Sequence, residues 1–122
     1  MLAACAALLL RAAAPAPAFC SCAGPNTDAE AVRYNTVVFE GRPIGWWQAL
    51  RPYGRVRVYT FAVTRWRKGM PRRTVTVETG LGGGDCGVVF QRGHTYTVYA
   101  GRYGHGRLGT DICSGPYPNA DR

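Results

Sequence analysis

Lysine, serine, histidine and long apolar runs are all scarce in this chain of 122 residues. Ser21 and Ser114 are its only serines, and His94 and His105 its only histidines. No hydrolase triad can be read from so few nucleophiles and bases, and no enzyme is expected. The two histidines lack the spacing of a metal pair and are expected to be solvent-exposed, so no cofactor and no metal of the protein's own is expected. Ala/Leu/Glu-rich helical windows are missing after the first residues, which argues against a bundle or a coiled coil. The chain is also too short for a doubly wound α/β enzyme. Past the N-terminus no apolar run is long enough to cross a bilayer, so no membrane span is expected.

Acidic residues are few as well: seven Asp and Glu stand against fifteen Lys and Arg, giving a net charge of +8. Lys68 is the only lysine. Such a balance is compatible with nucleic acid, anionic glycans or acidic membranes. Ala, Arg, Gly and Pro are abundant together, a pattern that nucleotide bias also produces, so the charge carries little weight. What is present is globular composition, with 47% hydrophobic and 18% charged residues.

Residues Met1 to Leu10 are apolar (MLAACAALLL), and AAAPAPA follows Arg11. An apolar core with a small-residue end reads as an export signal over residues 1–19, cleaved after 18 or 19. The lipobox-like Leu2-Ala3-Ala4-Cys5 has no apolar region before it, so no lipid anchor is expected there. Removal of the signal takes Cys5 and leaves Cys20, Cys22, Cys86 and Cys113. An even count in a small exported domain reads as two disulfides. A Cys20–Cys22 bridge would close a strained small ring, so each of these two is expected to reach either Cys86 or Cys113. The protein is expected outside the cytoplasm, secreted or periplasmic, as a monomer.

The rest reads as short strands and turns. Asp28 to Arg33 suits a helical turn. Asn35 to Glu40 is a strand signal closed by Gly41, and Gly45 to Gly54 reads as a loop or hairpin tip. Arg55 to Trp66 is the longest strand, and Thr74 to Thr79 alternates cleanly. Gly80 to Gly84 is a flexible loop. Val88 to Phe90 and His94 to Ala100 read as two further strands, and Leu108 to Ile112 as a last short pairing. Five or six strands in a domain over residues 20–118, with a tail at 119–122, predict an all-β fold with little helix: a small barrel or sandwich.

Several segments in order resemble one family, the tissue inhibitors of metalloproteinases. Cys20-Ser21-Cys22 follows the signal as in that family. Val37-Val38-Phe39-Glu40-Gly41-Arg42 resembles its first strand. Tyr59-Thr60-Phe61-Ala62-Val63 with Trp66-Arg67-Lys68-Gly69 resembles its strand ending in an aromatic, a Lys and a Gly. Cys86-Gly87, Gly93 to Ala100, and Leu108, Thr110 and Cys113-Ser114 complete the series. The resemblance spans about residues 20 to 118. It implies a netrin-like, OB-type barrel with bridges Cys20–Cys86 and Cys22–Cys113, in a minimal single-domain, bacterial-type form. The family's larger members add a third disulfide and a C-terminal domain.

The resemblance also implies a mechanism. The α-amine and carbonyl oxygen of a mature, disulfide-bonded Cys20 would chelate the catalytic zinc of a target protease at the position held by water. Ser21 would enter the specificity pocket, and Cys22, Ala23, Gly24 and Pro25 would continue the inhibitory ridge. Leu81, Gly82, Gly83, Gly84 and Asp85 would make a second contact. Cleavage after Phe19 is required to free the amine. Cleavage after Ala18, which the preference for small residues favours, leaves the CSC motif as a structural staple. The alternative function is a non-inhibitory extracellular binding or adhesion module on the same barrel.

Trp46-Trp47 stands out, and is expected to have one ring covering the barrel end and the other packed under the loop. Arg51, Arg55, Arg57, Arg65, Arg67, Arg72 and Arg73 are expected to form a solvated face. An anionic surface polymer fits them better than nucleic acid, which is not expected as a partner.

Overall fold

Thr27 opens the first regular element. Its hydroxyl accepts the Glu30 N–H at 3.2 Å, an N-cap, and helix α1 runs over Asp28–Tyr34. A computed structural model describes residues 20–118; the expected signal and tail segments lie outside the described residues. Five strands follow: β1 Val37–Arg51, β2 Gly54–Lys68, β3 Thr74–Thr79, β4 Tyr96–Arg102 and β5 Leu108–Gly109. They pair in the order β1-β2-β3-β5-β4, and β4 returns to β1 to close the ring. All pairs are antiparallel except β3 with β5. The all-β class and the five-strand count are as expected.

Three segments differ from the sequence reading. First, β1 does not stop at Gly41, and Gly45 to Gly54, read as a loop or hairpin tip, is the paired outer part of the β1–β2 hairpin with its tip. Gly41 marks a close approach instead: a Cβ there would sit 2.8 Å from the Ala62 carbonyl oxygen. Pro43 is accommodated at a register shift between Pro43 and Gly45, where a missing N–H is tolerated. Each residue from Gly45 to Arg51 then pairs across to β2, ending at Arg51 opposite Gly54. Gly54 has φ 124°, which lets Pro52-Tyr53 alone connect the strands. Trp46, Trp47, Ala49 and Leu50 fall on both faces, so apolar alternation could not announce this half of the strand.

Second, Val88 to Phe90 is not a ladder strand. Its N–H groups are taken by side chains: Val88 N–H donates to Thr79 Oγ1 at 2.9 Å and Phe90 N–H to the Tyr59 hydroxyl at 3.2 Å. The backbone is satisfied without a long strand partner. Both side chains fill the core, and Phe90 meets Tyr59, Phe61, Tyr96 and Tyr117 edge-on at 5.0–5.7 Å between centroids. Third, the last two strands have other bounds than expected: β4 keeps the expected length but is shifted by two residues to end at Arg102, and β5 is shorter. β4 begins at Tyr96, not His94, and β5 ends at Gly109, not Ile112. Beyond β5 the chain turns away to carry Cys113.

Val38, Phe39, Val58, Tyr59, Phe61, Val77, Val88 and Val98 are the largest fully buried side chains. They come from β1 to β4 and from the 88–90 segment, and all but Val58 belong to one main core cluster. Val58 joins Ala49 and Val56 in a satellite cluster on the β1–β2 hairpin.

Candidate functional site

Two disulfides build the first site, and their partners are those the resemblance implied. Cys20 joins Cys86 and Cys22 joins Cys113, with Cα atoms 5.2 and 5.1 Å apart. The bridges close sequence separations of 66 and 91 residues, so each removes roughly 4 kcal/mol of chain entropy from the unfolded state. They lie side by side, with Cys20 Sγ 3.5 Å from Cys113 Sγ. Together they pin residues 20–25, which have no helix or strand, against two loops. Ser21, Cys22 and Ala23 are exposed, while Gly24 and Pro25 are half-buried. Cys20, Cys22 and Cys113 also form a group of potential ligand atoms within 4.8 Å. All three sulfurs are oxidised, and a disulfide offers a metal no thiolate.

The loop before Cys86 is organised by one carboxylate. Asp85 Oδ2 accepts the Leu81 N–H at 2.6 Å, and Oδ1 accepts those of Gly82 and Gly87 at 2.9 and 3.0 Å. This brings Leu81, Gly82 and Asp85 into one tight turn, so the glycine run is an ordered loop. Gly87 is required because a Cβ there would collide with the Gly80 carbonyl. Cys86 itself has φ 64°, a conformation rare outside glycine, which this turn imposes. The Cys86 carbonyl in turn accepts the Ile112 N–H at 2.9 Å. The 81–85 loop is thus fixed beside Cys20.

A second carboxylate shapes the Cys113 loop. Asp111 Oδ1 accepts the Cys113 N–H at 2.7 Å, and the Asp111 N–H donates to Ser114 Oγ at 3.0 Å. Buried Asn35 ties this loop to the helix: its Nδ2 donates to the Ala31 carbonyl at 2.8 Å and the Ser114 carbonyl at 2.7 Å. The sequence reading did not single out Asn35 or Asp111. An Asp two residues before a Cys, with Ser next, is a turn signal that could have pointed to Asp111. Asn35 acts across 79 residues, which no local pattern reveals.

Helix α1 is anchored by its first residue. Asp28 accepts both Arg67 Nη atoms at 2.6 Å, and Oδ1 also accepts the Tyr99 hydroxyl at 2.6 Å. These hydrogen bonds hold the Asp28 carboxyl down at about 2. Burial, and then the hydrogen bond to Asp28, push the Tyr99 hydroxyl up.

The second candidate surface is the β1–β2 hairpin. Trp46 and Trp47 are 52% and 54% exposed, so neither is packed away as expected. The Arg57 guanidinium lies over the Trp46 ring at 4.3 Å and donates to the Tyr59 hydroxyl at 3.1 Å. Trp47 has Arg51 at 5.8 Å and is not under a loop. Of the seven arginines expected to be solvated, Arg51 and Arg67 are instead committed to close ion pairs, and Arg65 stays exposed while facing Glu40 at 3.8 Å. Arg51 Nε bonds Glu78 at 2.8 Å, and Glu78 also accepts the Tyr53 hydroxyl at 2.7 Å, with Arg107 Nε 3.6 Å away. Burial, and then Glu78, push the Tyr53 hydroxyl up. His94 and His105 are both exposed, as expected, and His105 also stacks on Tyr53 at 4.8 Å. A groove of about 450 Å³ is lined by residues of both regions, among them Tyr53, Glu78, Asp85, His105 and Asp111.

No protein-family profile matches the chain, and no curated protein sequence matches it. Among the described residues no helix is long and apolar enough to cross a membrane.

Proposed function

We propose that the protein is an exported metalloproteinase-inhibitor-like module on an OB-type barrel, which blocks a zinc protease through the α-amine and carbonyl of Cys20. The observation that carries this reading is the crossed staple. One bridge holds Cys20 against the 81–85 loop, and the other holds Cys22 against the 111–114 turn. The largely exposed Cys-Ser-Cys-Ala run is thereby a rigid wedge, which loses little entropy on entering a cleft. The closed strand order with a parallel β3–β5 pair supports the OB-type assignment.

In this reading Cys20 fills the open zinc position, Ser21 points into the pocket beside it, and residues 22–25 and 81–85 widen the contact. The amine donates only when unprotonated, so inhibition weakens as pH falls below about 8. The protein needs no metal and no catalytic residue of its own. Two disulfides support an oxidising, extracytoplasmic setting. The exposed aromatic hairpin favours a second reading, an extracellular binding module without inhibition.

N-terminal sequencing of exported material, followed by assay against zinc endopeptidases, tests the proposal. Material that begins at Cys20 should inhibit. The same domain with one Ala placed before Cys20 should stay folded and lose at least about a hundredfold in affinity, because the bidentate chelate is gone. Equal inhibition by both forms, or a mature chain that begins at Phe19, rules out chelation.

A further inference from the structure

From 41 through 77 every charged residue is Arg or Lys. The hairpin lies inside this stretch. Partners across the ladder share a face, so Trp46 opposite Tyr59, Gln48 opposite Arg57 and Leu50 opposite Arg55 form one strip. From Trp46 to Leu50 the strip is about 13 Å long. Leu50 is 77% exposed at its tip, and Trp46 is half-exposed at its root, where its ring is braced by Arg57. The flanking carboxylates are already engaged: Glu40 faces Arg65 at 3.8 Å, and Glu78 is enclosed by Arg51 and Tyr53. The strip therefore presents exposed Arg55, Arg57 held against Trp46 and a half-exposed indole, with no acid of its own.

We propose that this strip binds an anionic polysaccharide, with sugar rings stacked on Trp46 and sulfate or carboxylate groups on Arg55 and Arg57. Charge complementarity selects a polyanion. A Trp face braced by a guanidinium suits the apolar face of a sugar ring beside an anionic substituent. Two disulfides support an oxidising, extracytoplasmic setting, where such polymers occur and nucleic acid is scarce, which favours the polysaccharide. This surface does not include Cys20, so the proposal stands or falls apart from protease inhibition.

The test is binding of the disulfide-intact protein to heparin, a sulfated polymer, and to polygalacturonate, a carboxylated one, at increasing salt. Retention on either at about 0.15 M salt, falling as salt rises, is expected. Arg55→Glu and Trp46→Ala should each weaken binding about tenfold, while Arg72→Glu at the β2–β3 turn should change it less than about threefold. Arg55 is exposed, so its variant tests the strip even if Trp46→Ala fails to fold. The proposal is overturned by any of three results: no retention on either polymer, an equal loss from Arg72→Glu, or tighter binding to single-stranded DNA or anionic vesicles.

Discussion

The crosslinked edge and the hairpin of this protein are rigid for different reasons. At the crosslinked edge the chain has almost no ladder. Residues 20–25, 80–87 and 111–115 are held by two disulfides, by two carboxylates that gather backbone N–H groups, and by glycines too crowded for a Cβ. In the hairpin, every residue from 45 to 51 pairs with one from 54 to 60, and side chains add cation–π contacts and the Glu78 hub. The first region depends on covalent and backbone chemistry and frees small side chains. The second depends on a regular ladder and exposes large ones. A wedge into a cleft suits the former, and an extended polymer the latter.

Replacing Cys22 and Cys113 together by Ala should separate the two most strongly. Urea unfolding should show a loss of about 4 kcal/mol, since a 91-residue separation is no longer closed. Intact binding by the hairpin at low urea, alongside loss of any inhibition, would sharpen the contrast. Simultaneous loss of both would break it. Glu78→Gln should come next, costing about 2–3 kcal/mol by denaturation, because Arg51 and Tyr53 lose a charged partner in a buried setting. An effect under about 0.5 kcal/mol would show that the hairpin needs only its ladder.

Asp85→Ala should cost about 1 kcal/mol by the same measurement, since three N–H groups in the 80–87 loop lose their acceptor, and on the proposed chelation reading it should also weaken inhibition. The smallest effect belongs to Asp28. Its folded pKa lies below the ordinary carboxylate value, so its contribution is fully present above pH ~4 and is lost as pH falls toward about 2. The side chain is half-exposed, so Asp28→Asn should cost less than about 1 kcal/mol and should flatten stability over that pH range. An unchanged acid limb in Asp28→Asn would reassign the dependence to another carboxylate.

Much of the fold is legible in the residues themselves. Thr74–Thr79 alternates, and β3 has the bounds its pattern predicts. The cysteine count predicts two bridges, although the residues alone leave two pairings open. The 45–51 segment misleads because its apolar residues occupy both faces, Trp46 and Leu50 on one and Trp47 and Ala49 on the other, and only Ala49 joins the satellite cluster. Val88 and Phe90 mislead because buried β-branched and aromatic residues read as strand whether their N–H groups meet a ladder or a hydroxyl. Ser21 to Pro25 and Leu81 to Asp85 are candidates on sequence alone. The positioning roles of Asp85, Asp111 and Asn35 are not, because each depends on which backbone groups the folded loops bring within hydrogen-bond reach.

Residue type and near-neighbour spacing were enough for the β class, the absence of acid from 41 through 77, the even cysteine set and the helical turn from Asp28. Only the tertiary structure decided which cysteines meet, how the ring closes through the parallel β3–β5 contact, and that Trp46 and Arg57 share a face. Those depend on contacts between residues far apart in the chain, where local preference is nearly silent and packing around a common core makes the choice.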